Sequence, residues 1–248
     1  MKELNYRMGK FLHFYGCNIV FQFLLILLIA CGNKKDKTSQ DTTVPEIKKE
    51  STDTTASKMK NIVFFGNSLT AGYGVDPSEA FPALIQLKID SLHLPYKVIN
   101  AGLSGETSAG GKSRIDWVLN QPVDIFFLEL GGNDGLRGIP VKETQKNLQS
   151  IIDKVRSKYP QAELVLVGIL VPPNMGATYG NEFRSVFRTL ADKNKLRFLP
   201  FLLEGVGGVA ELNQSDGIHP TARGHKIVAE NVWKVLKDVP GFISSQTK

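Results

Sequence analysis

The segment VDIFFLELGG (residues 123–132) constrains the fold more than any other part of the sequence. It is almost continuously apolar over strand length and ends in Gly-Gly. Such a run is typical of a parallel strand that is covered on both faces. Other short apolar runs alternate with amphipathic stretches from Lys60 onwards, and we expect one parallel sheet between two helical layers.

The alternation assigns five strands and five helices to the region after residue 60. The strands are predicted at 61–66, 96–102, 123–132, 162–170 and 196–201, and the helices at 80–92, 108–120, 141–159, 182–194 and 221–239. Two of the helices show a clear apolar face. Leu148, Ile151, Ile152 and Val155, continued by Tyr159, share one side of the third helix, and Ala229, Val232, Trp233 and Leu236 share one side of the last.

The N-terminal residues carry a different pattern. Three basic residues precede an apolar run, IVFQFLLILLIA (residues 19–30), that is too short to cross a bilayer as a helix. We expect residues 1–30 to be a secretory signal, and the ending L-I-A-C-G resembles a bacterial lipobox with Cys31 as the lipidated residue. The alternative is an uncleaved anchor that begins near Phe11, and both interpretations place an exported domain on a membrane.

Residues 31–59 are rich in Lys, Thr, Ser and Asp and have few apolar side chains, so we expect a flexible polar linker. The domain itself is then predicted at residues 60–248. The only cysteines are Cys17 and Cys31, and the predicted domain therefore has neither a disulfide nor a thiolate metal site.

The net charge of +6 is spread along the chain. The signal, the linker region up to residue 60, and the remaining domain each carry about +2. A nucleic-acid-binding surface requires clustered positive charge, and the sequence shows none. We therefore expect no nucleic-acid partner. The sequence does not fix the oligomeric state, for which a monomer is the expectation.

Polar turns follow three of the predicted strands. Ser68 follows the first strand, Ser104-Gly105-Glu106 the second, and Gly132-Asn133-Asp134 the third. Ligands of such sheets bind beyond the carboxyl ends of the strands, where these turns should meet. Ser68 alone is ambiguous, because a serine between a strand and a helix is often a helix N-cap and not a nucleophile.

A nucleophilic serine needs a base and a group that orients the base. His219 lies in the loop SDGIHPTARG before a proline, with Asp216 three residues upstream, a spacing that lets the carboxylate reach Nδ1. The same loop could also be an ordinary turn before a helix. Among the other histidines, His13 lies in the signal, His93 is expected at the surface, and His225 is expected to be solvent-exposed.

The motifs GNSLTAG, SGET, GGND and DGIH occur in this order and resemble those of the SGNH (GDSL-type) hydrolases. NAGLSGETSAGG and ELGGNDGLRG are most similar to the bacterial thioesterase, arylesterase and lysophospholipase branch. The resemblance runs from about Asn61 to Val239. It implies a flavodoxin-like three-layer α/β/α sandwich with a five-stranded parallel sheet, and hydrolysis of esters or thioesters without a metal or cofactor.

The resemblance also assigns roles. Ser68 is implied as the nucleophile, His219 as the base and Asp216 as its orienting partner. The Ser68 and Gly105 N–H groups and the Asn133 amide are implied as oxyanion donors. The family usually has Asp where this chain has Asn67, which leaves the hydrogen bonding of the nucleophile turn open.

Two questions of substrate and function remain open from the sequence. The segment LVPPNMGATYG (residues 170–180) could line an acyl pocket through Pro172, Pro173, Met175 and Tyr179, although the same residues could equally pack a loop. The alternatives to an acyl esterase are a carbohydrate O-deacetylase of the same superfamily and, from another class, a lipoprotein binding module without catalysis.

Overall fold

The computed structural model describes residues 58–243, which form a five-stranded parallel sheet in the order β2-β1-β3-β4-β5. Two layers of helices flank the sheet. The strands are β1 Lys60–Gly66, β2 Tyr96–Gly102, β3 Ile125–Glu129, β4 Glu163–Val167 and β5 Arg197–Leu199. The helices are α1 Ser68–Ala71, α2 Phe81–Ser91, α3 Ser108–Val118, α4 Gly132–Leu136, α5 Val141–Lys158, α6 Ala177–Asn194 and α7 Ala222–Lys237.

Successive residues of β1 point to opposite faces of the sheet and enter two separate apolar clusters. Val63 and Phe65 pack in the cluster that also contains the buried faces of α3, α5 and α6. Ile62 and Phe64 pack in the second cluster, with α2 and α7. A strand that is buried on both faces must be apolar at every position. The three-layer α/β/α fold expected from the sequence is thus confirmed.

The helix faces expected from the apolar spacing are also confirmed. The four α5 residues Leu148, Ile151, Ile152 and Val155 are fully buried, and Tyr159 packs against the same cluster. The inner face of α7 is buried as predicted. One helix differs from its prediction: α6 begins at Ala177, five residues before the expected start, after Gly176 turns the chain with φ +87°.

The sheet order changes direction between β1 and β3. From β1, the chain crosses to β2 on one side, and β3 then lies on the other side. This change of direction opens the sheet edge to a ligand. The turns after β1, β2 and β3 therefore lie together at the edge formed by the carboxyl ends of the strands, as expected. This edge is called the rim below.

The predicted signal, Cys31 and nearly all of the predicted linker lie outside the described residues. Within residues 58–243, no helix is both long enough and apolar enough to span a bilayer.

Candidate active site

Ser68 is the first residue of α1, directly after β1 and a single intervening residue, Asn67. The side chain of Asn67 caps the helix, because its Oδ1 accepts the Leu69 N–H at 2.9 Å. The cap is therefore Asn67, and Ser68 is not the cap that its sequence position allowed. Its Oγ atom lies 2.8 Å from Nε2 of His219.

His219 lies in the loop between β5 and α7 and faces Ser68 across the rim. Its Nδ1 atom lies 2.7 Å from Oδ2 of Asp216, and Oδ1 of the same carboxylate accepts the N–H groups of Ile218 and His219, both at 3.0 Å. With Nδ1–H donated to Asp216, Nε2 is left as an acceptor for the Ser68 hydroxyl. The structure thus brings together Ser68, His219 and Asp216, as the sequence predicted.

The charge of Asp216 suits this arrangement. Burial alone would raise the pKa of its carboxyl, but the hydrogen bonds from the His219 ring and from two backbone N–H groups outweigh burial. The net effect lowers the pKa of Asp216 to about 2. The carboxylate is therefore ionised at neutral pH and can accept the Nδ1–H of His219.

Two residues that sequence reasoning missed hold the His219 loop against the segment after α1. The Gln214 amide donates to the carbonyl oxygen of Tyr73 at 2.7 Å and to that of Pro220 at 3.0 Å. The ring of Tyr73 lies 4.7 Å from the His219 ring, centroid to centroid. The two contacts with Tyr73 join residues more than 140 positions apart, so no local sequence pattern could have indicated them.

The three donors that the family resemblance predicted for an oxyanion are available at the rim. Within residues 58–243, the N–H groups of Ser68 and Gly105 have no protein acceptor. Gly105 adopts φ +79°, a conformation that glycine takes without steric cost. Asn133 donates one amide hydrogen to the Glu106 carbonyl oxygen at 3.0 Å, which leaves its second hydrogen for a ligand.

The turn that carries Gly105 is braced by two arginines. Arg114 pairs with the buried Glu106 carboxylate through its Nε atom at 2.8 Å and through Nη2. Arg137 donates to the carbonyl oxygen of Gly105 at 3.1 Å. Donors of an oxyanion hole stabilise charge best when they are fixed in advance, and these contacts fix the turn.

Two further carboxylates are buried behind the rim. Asp134 accepts the backbone N–H of Ser108 at 2.8 Å and is also bonded to the Ser108 hydroxyl, so it joins the turn after β3 to the start of α3. Glu129, the last residue of β3, accepts the backbone N–H and the side-chain amide of Asn67 and the Thr70 hydroxyl. These bonds show how the nucleophile turn is hydrogen-bonded when Asn67 replaces the usual family Asp.

The sequence matches the profile of the GDSL-like lipase/acylhydrolase family over residues 64–227, which is most of the folded region. The chain belongs to this family. The family match and the parallel α/β fold confirm the resemblance described above. The member described here is accordingly a hydrolase that acts on ester bonds.

Two bacterial relatives match this GDSL-like hydrolase over most of its length. The esterase TesA of Pseudomonas aeruginosa is 40% identical over 179 residues, which are 72% of this chain and 88% of TesA. Thioesterase 1/protease 1/lysophospholipase L1 of Escherichia coli is 36% identical over 183 residues, 73% of this chain and 86% of that protein.

A solved structure has the same fold. The psychrotrophic esterase EstA from Pseudoalteromonas sp., in a crystal structure inhibited by monoethylphosphonate, is 33% identical with a TM-score of 0.68. The alignment covers 72% of this GDSL-like hydrolase and 97% of EstA.

In this GDSL-like hydrolase, the segment 170–180 lies beside the turn that carries Asn133. Val171 packs closely on Gly135, and the Cε atom of Met175 approaches Gly138. Pro172 and Met175 are half-buried. Tyr179 donates its hydroxyl to the carbonyl oxygen of Ile139 at 2.9 Å and stacks on Phe183, which are contacts of a packing residue.

The expectation for His225 is wrong. Its side chain is 1% exposed on the inner face of α7, and its Nδ1 accepts the Phe81 N–H at 3.3 Å. Burial, and secondarily the charge of His219, lowers the pKa of His225 to about 4. The helical spacing to Val228, Val232 and Leu236 could have revealed this position. His93 is exposed, as predicted.

Residues 58–243 contain no group of three His, Cys, Asp or Glu side chains that could hold a metal ion. The arrangement at the rim uses neutral donors and one His–Asp pair, and the chemistry it can perform is nucleophilic attack on an acyl carbon.

Proposed function

We propose that the chain is a serine esterase that hydrolyses carboxylic esters or thioesters through an acyl-enzyme on Ser68. The observation that carries the proposal is the pair of hydrogen bonds made by His219, at 2.8 Å to the Ser68 hydroxyl and at 2.7 Å to Asp216. These contacts support Ser68 as the nucleophile, His219 as its base and Asp216 as the acid that orients the base.

Acylation follows from this alignment. The Ser68 Oγ attacks the acyl carbon while Nε2 of His219 takes the hydroxyl proton, and the imidazolium is stabilised by Asp216. The negative charge on the former carbonyl oxygen is received by the Ser68 and Gly105 N–H groups and the Asn133 amide. His219 then gives its proton to the departing alcohol or thiol, which leaves Ser68 acylated.

Deacylation repeats these steps with water as the nucleophile. His219 Nε2, again neutral, takes a proton from a water molecule that attacks the acyl carbon. Collapse of the second tetrahedral intermediate returns the proton to Ser68 Oγ and releases the carboxylic acid. No step requires a group beyond the residues named and water.

We further propose that the acyl chain lies between segment 170–180 and the residues that follow Asn133. The half-buried Pro172 and Met175 offer apolar surface there, and Met175 approaches Gly138. Tyr179 would act indirectly, by anchoring the segment to Ile139. A Met175→Trp variant should shift the preferred ester toward shorter acyl chains, whereas the exposed substitution Leu87→Trp should leave the preference unchanged.

The ester panel that tests the function uses residues 58–248 and p-nitrophenyl esters from acetate to palmitate at mildly alkaline pH. We expect turnover that is abolished in Ser68→Ala and retained in Ser113→Ala, an exposed serine on α3. A maximum at medium or long chains supports an acyl esterase or lysophospholipase. Turnover of the acetate ester alone supports the O-deacetylase. The absence of turnover of any ester by folded protein supports the binding module.

We also propose that the domain is exported and held at a bacterial membrane by lipid on Cys31. The basic residues, the short apolar run and the L-I-A-C-G ending support this, and stable anchoring requires two lipid signals or chains. The full chain should partition into the detergent phase, and Cys31→Ala should not, while Cys17→Ala should behave as the parent. Detergent partitioning of Cys31→Ala would refute lipidation at this cysteine.

A further inference from the structure

Glu129 occupies a position that links two strands to the nucleophile turn. In the β1–β3 pairing it lies directly opposite Gly66, the last residue of β1. A Cβ atom at position 66 would overlap both the Glu129 carboxylate and the Thr70 hydroxyl. The glycine therefore lets the Glu129 side chain cross over β1 and reach the first turn of α1.

Every neighbour that bonds to the Glu129 carboxylate is a donor. Oε1 accepts the Asn67 side-chain amide at 2.8 Å. Oε2 accepts the Asn67 backbone N–H at 3.1 Å and the Thr70 hydroxyl at 2.8 Å. The bonds therefore enclose Ser68 on both sides, at the preceding residue and at the residue two positions later.

The carboxylate has no cationic partner. No ion pair of residues 58–243 involves Glu129, and its side chain is 1% exposed. Burying a charge without a counter-ion costs stability even when neutral donors surround it. A buried glutamate at this position therefore lowers the stability of the folded protein, which indicates a role beyond packing.

We propose that Glu129 is a positioning residue for the nucleophile, and that Asn67 and Glu129 act as one matched amide–carboxylate pair. The pair fixes Asn67, whose Oδ1 caps α1, and so fixes the backbone N–H and the Oγ of Ser68. This inference rests on the proposed role of Ser68. It assigns to Asn67, the departure from the usual family aspartate, a defined function.

The chemistry of the pair predicts which substitutions it tolerates. In Glu129→Gln, the new amide faces the Asn67 amide, donor against donor. Rotating the Asn67 amide moves the conflict to the Leu69 N–H, and rotating the new amide moves it to the Asn67 backbone N–H. In Asn67→Asp, two carboxylates face each other at hydrogen-bond distance and must share a proton. The double variant Asn67→Asp/Glu129→Gln restores every bond. Only the contact between the two side chains is reversed, with residue 129 as the donor and residue 67 as the acceptor.

The experiment measures kcat, KM and the rate of Ser68 phosphonylation for the parent, both single variants, the double variant and Ser68→Ala. We expect Glu129→Gln to lower kcat roughly 10- to 100-fold, the effect of a nucleophile displaced by a fraction of an ångström. KM should change little, and the phosphonylation rate should fall with kcat. The double variant should recover most of both rates. A purely structural role would lower the melting temperature but leave the kcat of the folded fraction unchanged.

The outcomes separate this inference from the proposed function. Activity in Ser68→Ala refutes the proposed nucleophile. If Ser68→Ala is inactive but Glu129→Gln matches the parent, only the positioning role is wrong. If Glu129→Gln does not fold, the double variant decides: a folded, active double variant supports the matched pair, whereas an unfolded or inactive one overturns it. If Glu129→Gln folds but is slow, a double variant that is equally slow also overturns it.

Discussion

Asp216 holds His219 at two points: Oδ1 accepts the backbone N–H of His219 at 3.0 Å, and Oδ2 lies 2.7 Å from Nδ1 of its ring. One carboxylate therefore fixes both the loop and the direction of the imidazole. The short spacing between the two residues makes this possible, since Asp216 begins the turn that His219 ends.

Asp216→Asn should lower kcat roughly 10²- to 10⁴-fold, because an amide can present a donor to Nδ1 and so favour the wrong tautomer. The substrate-binding surfaces are untouched, so KM should change little. Steady-state kinetics on the best ester of the panel measure the effect. Asp238→Asn, at the exposed end of α7, is the matched control, and equal losses in both variants would contradict the assignment.

Asn133→Ala should lower kcat about 100- to 1,000-fold, the usual loss for one oxyanion donor. The amide also bonds the Glu106 carbonyl oxygen, so the melting temperature must be measured beside the kinetics. Asn120→Ala, on the exposed side of the domain, controls for a general loss of stability. A fall in kcat/KM that comes entirely from KM would contradict an oxyanion role.

Gln214→Ala should weaken catalysis without touching the reacting groups. The amide joins the carbonyl oxygens of Tyr73 and Pro220, and its loss frees the His219 loop from the segment after α1. We expect about a 10-fold lower kcat, since misplacement of a catalytic group by about 1 Å can cost 100-fold. Gln214→Glu, which cannot donate, should behave alike. Activity at the parent level in both variants would show that the bridge is dispensable.

His225 and Glu129 should impose opposite pH dependences on stability. The pKa of His225 is lowered to about 4, so between pH 4 and 6.5 the unfolded chain binds a proton there that the folded chain does not. Its contribution therefore falls as the pH drops. Burial raises the pKa of Glu129 to about 7 against the opposing hydrogen bonds, so its contribution falls as the pH rises from 4.5 to 7.

His225→Gln should expose the Glu129 dependence. The free energy of unfolding of the variant, relative to the parent, should fall by up to about 1.4 kcal/mol per pH unit as the pH rises from 4 to 6.5. Denaturant unfolding at several pH values measures the slope. His93→Gln, at an exposed histidine, should parallel the parent at every pH. Parallel curves for the parent and His225→Gln would contradict a buried neutral imidazole.

The sequence was sufficient to predict the sheet and the edge at which the turns after β1, β2 and β3 meet, because both depend on local periodicity and on the direction of parallel strands. That the DGIH loop joins these turns was implied by the family resemblance. Ser68 and His219 are 151 residues apart, yet both follow strands whose carboxyl ends share an edge. Helix α6 was predicted too short because Gly180, an apparent breaker, is tolerated inside it.

The supports of the site could not be predicted in the same way. Glu129 lies at the end of an apolar strand and contacts Asn67 only through the β1–β3 register. Gln214 donates to backbone carbonyl oxygens. Every residue has such an oxygen, so the side-chain pattern does not indicate these bonds. His225 was expected to be solvent-exposed because it lies near the start of the last helix, although the helical period places it on the inner face of α7.

The most direct test of Ser68 as the nucleophile is covalent labelling with an ethyl p-nitrophenyl phosphonate, followed by mass spectrometry of the intact protein and its peptides. We expect one monoethylphosphonate adduct per chain, on Ser68, with esterase activity lost in proportion to labelling and no adduct in Ser68→Ala. An adduct at another residue, or full ester hydrolysis after complete labelling, would contradict this role of Ser68.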